Sequence, residues 1–133
     1  MSQKLLDSVL LLISLLEIKM GFHKIENSTS ESFGNRVLVF KLDQFQIRVF
    51  RDRGIWSVEF SESNEPSYTA LLRHAVDGSS GKDELSIEEE VQFWEIRWAD
   101  VCTFFERDAQ AAHMKIDQLA LEISKRRNPT WYQ

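Results

Sequence analysis

Apolar residues recur every three or four positions over the first twenty residues, and every second position between 36 and 60. That change of period predicts a helix followed by sheet. On a 3.6-residue wheel Leu5, Val9, Leu12, Ile13, Leu16 and Met20 fall on one side. Leu10, Leu11, Leu15 and Ile18 cover much of the rest. A helix apolar nearly all round is expected to pack on two surfaces, a sheet and other helices. Gly21 is placed to end it. The stretch HKIENSTSESFGN (23–35) is rich in Ser, Asn and Glu and predicts a surface loop. Three strands are then expected at 36–42, 45–51 and 55–60. In the second, Phe45, Ile47 and Val49 alternate with Gln46 and Arg48; in the third, Trp56, Val58 and Phe60 alternate with Ser57 and Glu59. Connections this short allow only an antiparallel meander, because parallel strands need long crossovers.

SESNEPSY (61–68) predicts a connector, with Pro66 opening a helix marked by Tyr68, Leu71, Leu72 and Ala75. DGSSGKDE (77–84) predicts a loop. Ser86 with Glu89 three residues on is a capping-box pattern, so a helix starts there. Its stripe runs Ile87, Val91, Trp94, Trp98, Val101 or Cys102, and Phe105, then Ala109, Ala112, Ile116, Leu119 and Ile123. One unbroken helix would be roughly 60 Å long at 1.5 Å per residue. A break near Glu106-Arg107-Asp108, with Asp108 as a new N-cap, suits a chain of this size better. The expected fold is α+β: an N-terminal helix, an antiparallel β-meander of three or more strands, and helices packed on one side, within a single domain over 1–133.

The 133 residues include 16 basic and 21 acidic ones, for a net charge of −5. That balance argues against nucleic-acid binding and matches a basic partner. Cys102 is the only cysteine, which points to a reducing compartment. The apolar start contains Asp7, Ser8 and Ser14, is followed by Glu17 and has no small-residue cleavage site, unlike a signal peptide. It is also short of the ~20 apolar residues that span a bilayer. A cytoplasmic protein without a membrane partner is the expectation.

No motif for phosphate binding, serine hydrolysis or zinc proteolysis occurs, so no cofactor and no enzymatic role are expected. Cys102 lies on the inner stripe of an aromatic helix and reads as core. His113 and Asp117, four apart, make half a metal site without a third ligand, and His23 and His74 lie near element ends. Arg-Asp-Arg-Gly at 51–54 reads as a hairpin turn, since Gly54 accommodates positive φ; a contact role for Arg51 or Arg53 is the other reading. What accumulates is acid: nine acidic residues against three basic ones between Lys82 and Asp108. Acids at a helix start are favourable in themselves. On the side away from the stripe, however, they mix with apolar residues, as at a protein interface. The candidate partner-binding residues are therefore Asp83, Glu84, Glu88, Glu89, Glu90, Phe93, Ile96 and Asp100. Phe93 and Phe104 packed beneath a terminal helix is the equal alternative.

The segment FGNRVLVFKLDQFQIRVFRDRGIWSVEF (33–60) resembles a recurring segment of small bacterial immunity proteins of contact-dependent growth inhibition and related polymorphic toxin systems. There a Phe-Gly-Asn opening precedes a strand, a second strand ends in Arg-Asp-Arg-Gly, and an aromatic-rich strand follows. The resemblance implies a cytoplasmic protein that binds the C-terminal toxin domain of its sibling, often a nuclease with a basic cleft, and neutralises it. It also favours a scaffold turn for Arg-Asp-Arg-Gly. A small adaptor or regulatory module using the same helical face is the alternative. An enzyme of the cone-shaped α+β type is a third class, marked by a pocket around a buried acid or histidine.

Overall fold

A computed structural model describes residues 3–30, 35–79, 84–128 and 130. The order of elements is helix α1 (Gln3–Ser14) with a π-helical turn (Leu15–Lys19), strands β1 (His23–Ser30), β2 (Asn35–Leu42), β3 (Phe45–Asp52), β4 (Ile55–Glu62) and β5 (Glu65–Tyr68), then helices α2 (Thr69–Asp77), α3 (Ile87–Arg107) and α4 (Ala109–Arg127). The five strands form one antiparallel sheet in the order β1-β2-β3-β4-β5, and the helices pack against it. The fold is α+β, as the change of period indicates.

Two-residue turns close the three hairpins from β2 to β5. Asp43, Arg53, Ser63 and Asn64 all take positive φ, with Gly54 at +81° beside Arg53. Such backbone matches the right-handed twist of the flanking strands. Arg53 is an unfavoured residue for φ of +53°, and its N–H donates to Asn35 Oδ1 at 3.0 Å. Asn35 sits beside that turn because β2 starts where β3 ends, Arg36 pairing with Arg51. The Asn35 and Arg-Asp-Arg-Gly parts of the 33–60 segment are thus joined by a hydrogen bond that holds a turn.

Cross-strand pairing sorts the side chains into rows. Leu38, Val49 and Val58 form one row on the inner face, and Phe40, Ile47 and Phe60 the next. All six are buried. Helix α3 lays its aromatic stripe on them. Trp94 sits 5.5 Å from Phe60, and Trp98 sits 5.2 Å from Phe45 and 5.4 Å from Phe22. Phe105 reaches both Phe60 and Phe45. Burying one such ring stabilises by roughly 1.5–3 kcal/mol, so this cluster carries much of the core. Ser86 and Glu89 close the expected capping box, and Asp108 breaks the long helix, its Oδ1 accepting from Ala111 N–H at 3.0 Å.

Four expectations are corrected. The 23–35 stretch is not wholly a loop: residues 23–30 are edge strand β1, paired with β2 and exposed on its described side chains. No helix covers it, so it needs no apolar period; backbone pairing alone makes it a strand. SESNEPSY is not a connector but the end of β4, a turn and strand β5. Pro66 is tolerated there because β5 is an edge. It precedes α2 by two residues of strand instead of opening it. Finally, α1 packs on one side only. Val9, Leu12, Leu15, Leu16 and Met20 are buried, while Leu10, Leu11 and Ile18 are exposed.

Candidate functional site

The acidic start of α3 is placed by two local devices. Ser86 Oγ accepts from Glu89 N–H at 3.2 Å, and Ser86 N–H donates to Glu89 Oε1 at 3.1 Å, fixing where the helix begins. Upstream, Glu84 Oε1 accepts from Ser57 Oγ at 3.1 Å, tying the approach to β4. From there α3 runs with α1 on one side and α2 on the other.

The structure divides the candidate residues. Glu84, Glu88, Ile96 and Asp100 are exposed, and Glu89 is half-buried at its cap. Glu88 meets Lys4 of α1 at 3.5 Å, and farther along Glu95 meets Lys19 at 3.4 Å. Asp100 holds Arg97 at 3.1 Å, and Arg97 reaches Asp77 of α2 at 3.6 Å. The Lys4–Glu88, Lys19–Glu95 and Arg97–Asp100 pairs are exposed and contribute only ~0–1 kcal/mol each, so a partner can displace them. Ile96, on the same helix, is 68% exposed. Asp83 lies outside the described residues.

Glu90 and Phe93 do not belong to the exposed set. They are 3% and 4% exposed, with Glu90 next to Thr69 and Arg73 of α2. Packing on three sides widens the buried arc of α3 beyond its apolar stripe, which a stripe read from periodicity alone does not reveal. Phe93 therefore packs in the core, the alternative left open by its spacing.

Burial pushes the Glu90 carboxyl up to about 8, against the opposing pull of Thr69, Arg73 and Trp94. Its Oε2, Thr69 Oγ1, Arg73 Nε and Trp94 Nε1 are all buried without a hydrogen-bond partner. Thr69 and Trp94 face the carboxyl without reaching bonding geometry. Beside them is a cavity of about 10 Å³, lined by Ser57, Tyr68, Thr69, Glu84, Leu85 and Glu90 among others. That is the space of one water, too small for any substrate. At neutral pH Glu90 is mostly protonated and adds little charge to the surface above it.

A second acidic group was not read from the sequence. Glu62 Oε1 lies 2.6 Å from His113 Nε2, and Glu65 Oε2 lies 3.0 Å from His113 Nδ1. Ser63 Oγ donates to Glu62 Oε2 at 2.8 Å. The signal was present: Trp56, Val58 and Phe60 point inward, so the alternation sends Glu62 inward too. Both ring nitrogens of His113 are engaged by carboxylates, so neither is free to move a proton on a substrate. The group fastens α4 to the β4–β5 turn. Asp117, the suggested companion of His113, is exposed and takes no part in it. Among the described residues, no group of three His, Cys, Asp or Glu side chains is arranged to hold a metal ion.

An open groove of about 530 Å³ runs between the end of α2 and α3, lined by Val76, Asp77, Arg97, Asp100, Thr103, Phe104 and Arg107. Burial alone would raise the Asp77 carboxyl, but bonds from Ser79 and the charges of Arg97 and Arg73 outweigh it and hold the pKa below the usual value. Acids and arginines alternate along the groove, giving it no single polarity. Burial pushes the Cys102 thiol up, with Glu106 adding to the effect, so the thiolate needed for nucleophilic chemistry is disfavoured. No helix of the described residues is long and apolar enough to cross a membrane. No family model, curated protein or solved structure matches the chain.

Proposed function

We propose that this chain is a cytoplasmic immunity protein that binds a cognate toxin domain, a nuclease with a basic cleft, and neutralises it by covering the active site. One observation carries the reading: α3 exposes Glu88, Glu95 and Asp100 together with Ile96, and Glu84 is exposed on its approach. An exposed apolar side chain on a helix that also exposes carboxylates suits a basic, partly apolar protein surface. The net charge of −5 favours the same partner, and the 33–60 segment supplies the resemblance to immunity proteins.

The test is co-expression with the C-terminal domain of the toxin encoded beside it, followed by binding kinetics. The protein is expected to restore growth and to form a stable complex. Reversing Glu84, Glu88 and Glu95 to Lys spares the cap residue Glu89. At low salt it should slow association about tenfold or more, since steering of this kind changes association rates 10–10³-fold. The effect should shrink as salt shortens the Debye length to ~8 Å at physiological ionic strength. Failure of the wild-type protein to bind or protect would remove the reading.

A further inference from the structure

The sequence makes α1 apolar nearly all round, yet the fold covers only one side of it. Asp7, Leu10, Leu11, Ser14, Glu17 and Ile18 are all exposed and lie along the opposite side. The π-helical turn over Leu15–Lys19 accentuates this. By adding a residue to the turn it brings Leu15, Leu16 and Met20 all into the core and leaves Ile18 outward, 79% exposed. Single exposed leucines need no explanation, but three large apolar side chains left exposed along one helix side are a candidate contact surface.

Its position and charge say what kind of contact. Lys4 and Lys19, near the two ends of the stripe, reach across to Glu88 and Glu95, so α1 runs beside the acidic row of α3. Those pairs offset the charge of both lysines, whose side chains stay largely exposed. Asp7 and Glu17 carry no ion pair among the described residues, so the stripe's remaining charges are both negative. A second copy would set these acids among acids of its own kind. With Lys4 and Lys19 counted against Asp7, Glu17, Glu88 and Glu95, the surface shared by α1 and α3 carries a net −2, which favours a partner with apolar side chains rimmed by Lys or Arg.

We infer that the outward stripe of α1, centred on Leu10, Leu11 and Ile18, is the apolar anchor of the partner surface, engaging apolar residues within a basic patch of the toxin domain. The inference rests on the immunity reading and extends it. It transfers the anchoring role from Phe93, which is core, to α1, and joins it across the Lys4–Glu88 and Lys19–Glu95 seam to the acids of α3. Apolar anchors act chiefly on the dissociation rate and acidic steering on the association rate, so the two halves of the surface separate in one experiment.

The double variant Leu11→Ser, Ile18→Ser changes only exposed positions, and an unchanged melting curve establishes that it folds. Met114→Ser, an exposed apolar position on α4, serves as the control. With the adjacent toxin domain as probe, the double variant should dissociate at least about 30-fold faster with little salt dependence, the size expected of a hot-spot loss, and the control should match wild type. If the wild-type protein binds the toxin and the double variant binds it equally well, the inference is overturned and the immunity reading stands. If the wild type does not bind the toxin, the immunity reading fails and the assigned occupant falls with it. If light scattering shows a dimer that the double variant splits while toxin kinetics are unchanged, the occupant is a second copy and the inference is again overturned.

Discussion

Glu62 and Glu90 are buried to the same depth, 4% and 3% exposed, and the structure treats them in opposite ways. Glu62 ends a strand and has His113 at 2.6 Å and the Ser63 hydroxyl at 2.8 Å. Glu90, on the first turn of α3, has an oxygen without a partner, and its pKa is pushed to about 8 by burial. Depth alone therefore does not decide how a buried acid behaves; what a distant element brings to it does. At the β4–β5 turn, α4 arrives with a histidine that satisfies both carboxylates. At the start of α3, α2 arrives with Thr69 and Arg73, neither placed to bond. The first acid fastens two elements together, whereas the second is tolerated by holding its proton.

The largest expected effect sharpens this contrast through pH. A folded-state pKa of about 8, against an ordinary 4.5, means the folded state binds the proton more tightly than the unfolded chain. The contribution of Glu90 is then fully present below pH 4.5 and is lost as pH rises towards 8, after which it stays constant. Glu90→Gln keeps the shape of the neutral acid and does not titrate. Wild type should lose ground to Glu90→Gln between pH 5 and 8 by a few kcal/mol, at ~1.4 kcal/mol per pKa unit. Denaturant melts of both proteins across that range measure the gap. A gap that does not change with pH would place Glu90 in the same partnered class as Glu62.

His113→Ala attacks the other side of the comparison. It strips Glu62 of its partner while leaving the carboxylate buried, and breaking such a pair costs about 3 kcal/mol. Urea denaturation should show that loss, and amide exchange in the α4 segment around residue 113 should accelerate. A loss under about 0.5 kcal/mol would mean that the clamp contributes no more than an exposed ion pair.

The smallest effects come from the two hydroxyls. Ser63→Ala removes a bonded donor to Glu62 and should cost about 1 kcal/mol. Thr69→Val replaces an unbonded hydroxyl by a methyl group of similar shape and should be neutral within about 0.5 kcal/mol or slightly stabilising. Equal melting shifts for the two would erase the distinction between a satisfied and an unsatisfied acid.

Legibility followed the same physical divide. The Ser86–Glu89 box, the break at Asp108, the turn at Arg53-Gly54 and the stripe from Ile87 to Phe105 are local patterns, and each appears where its spacing puts it. Strand β1 was hidden because its side chains meet no core, and β5 because Pro66 argues against a strand unless the strand is known to be an edge. Of the candidate contact residues, Glu84, Glu88, Ile96 and Asp100 lie at the surface, while Glu90 and Phe93 were misassigned because the arrival of α2 widens the buried arc of α3. The outward leucines of α1 failed in the reverse sense. Nothing in a run of apolar residues tells how many neighbours will come to cover it.

By itself, the sequence determined the period of each main element, the caps and turns that bound most of them, and an acidic net charge. These are properties of a residue and its neighbours within a turn or two, where capping bonds, backbone preference and alternation act. Only the tertiary structure decided which buried acid found a partner, which side of α1 stayed bare, and which acids of α3 remained at the surface. Those outcomes depend on elements far apart in the chain meeting at fixed positions, and burial, unlike helix or turn formation, is a property of the assembled layers.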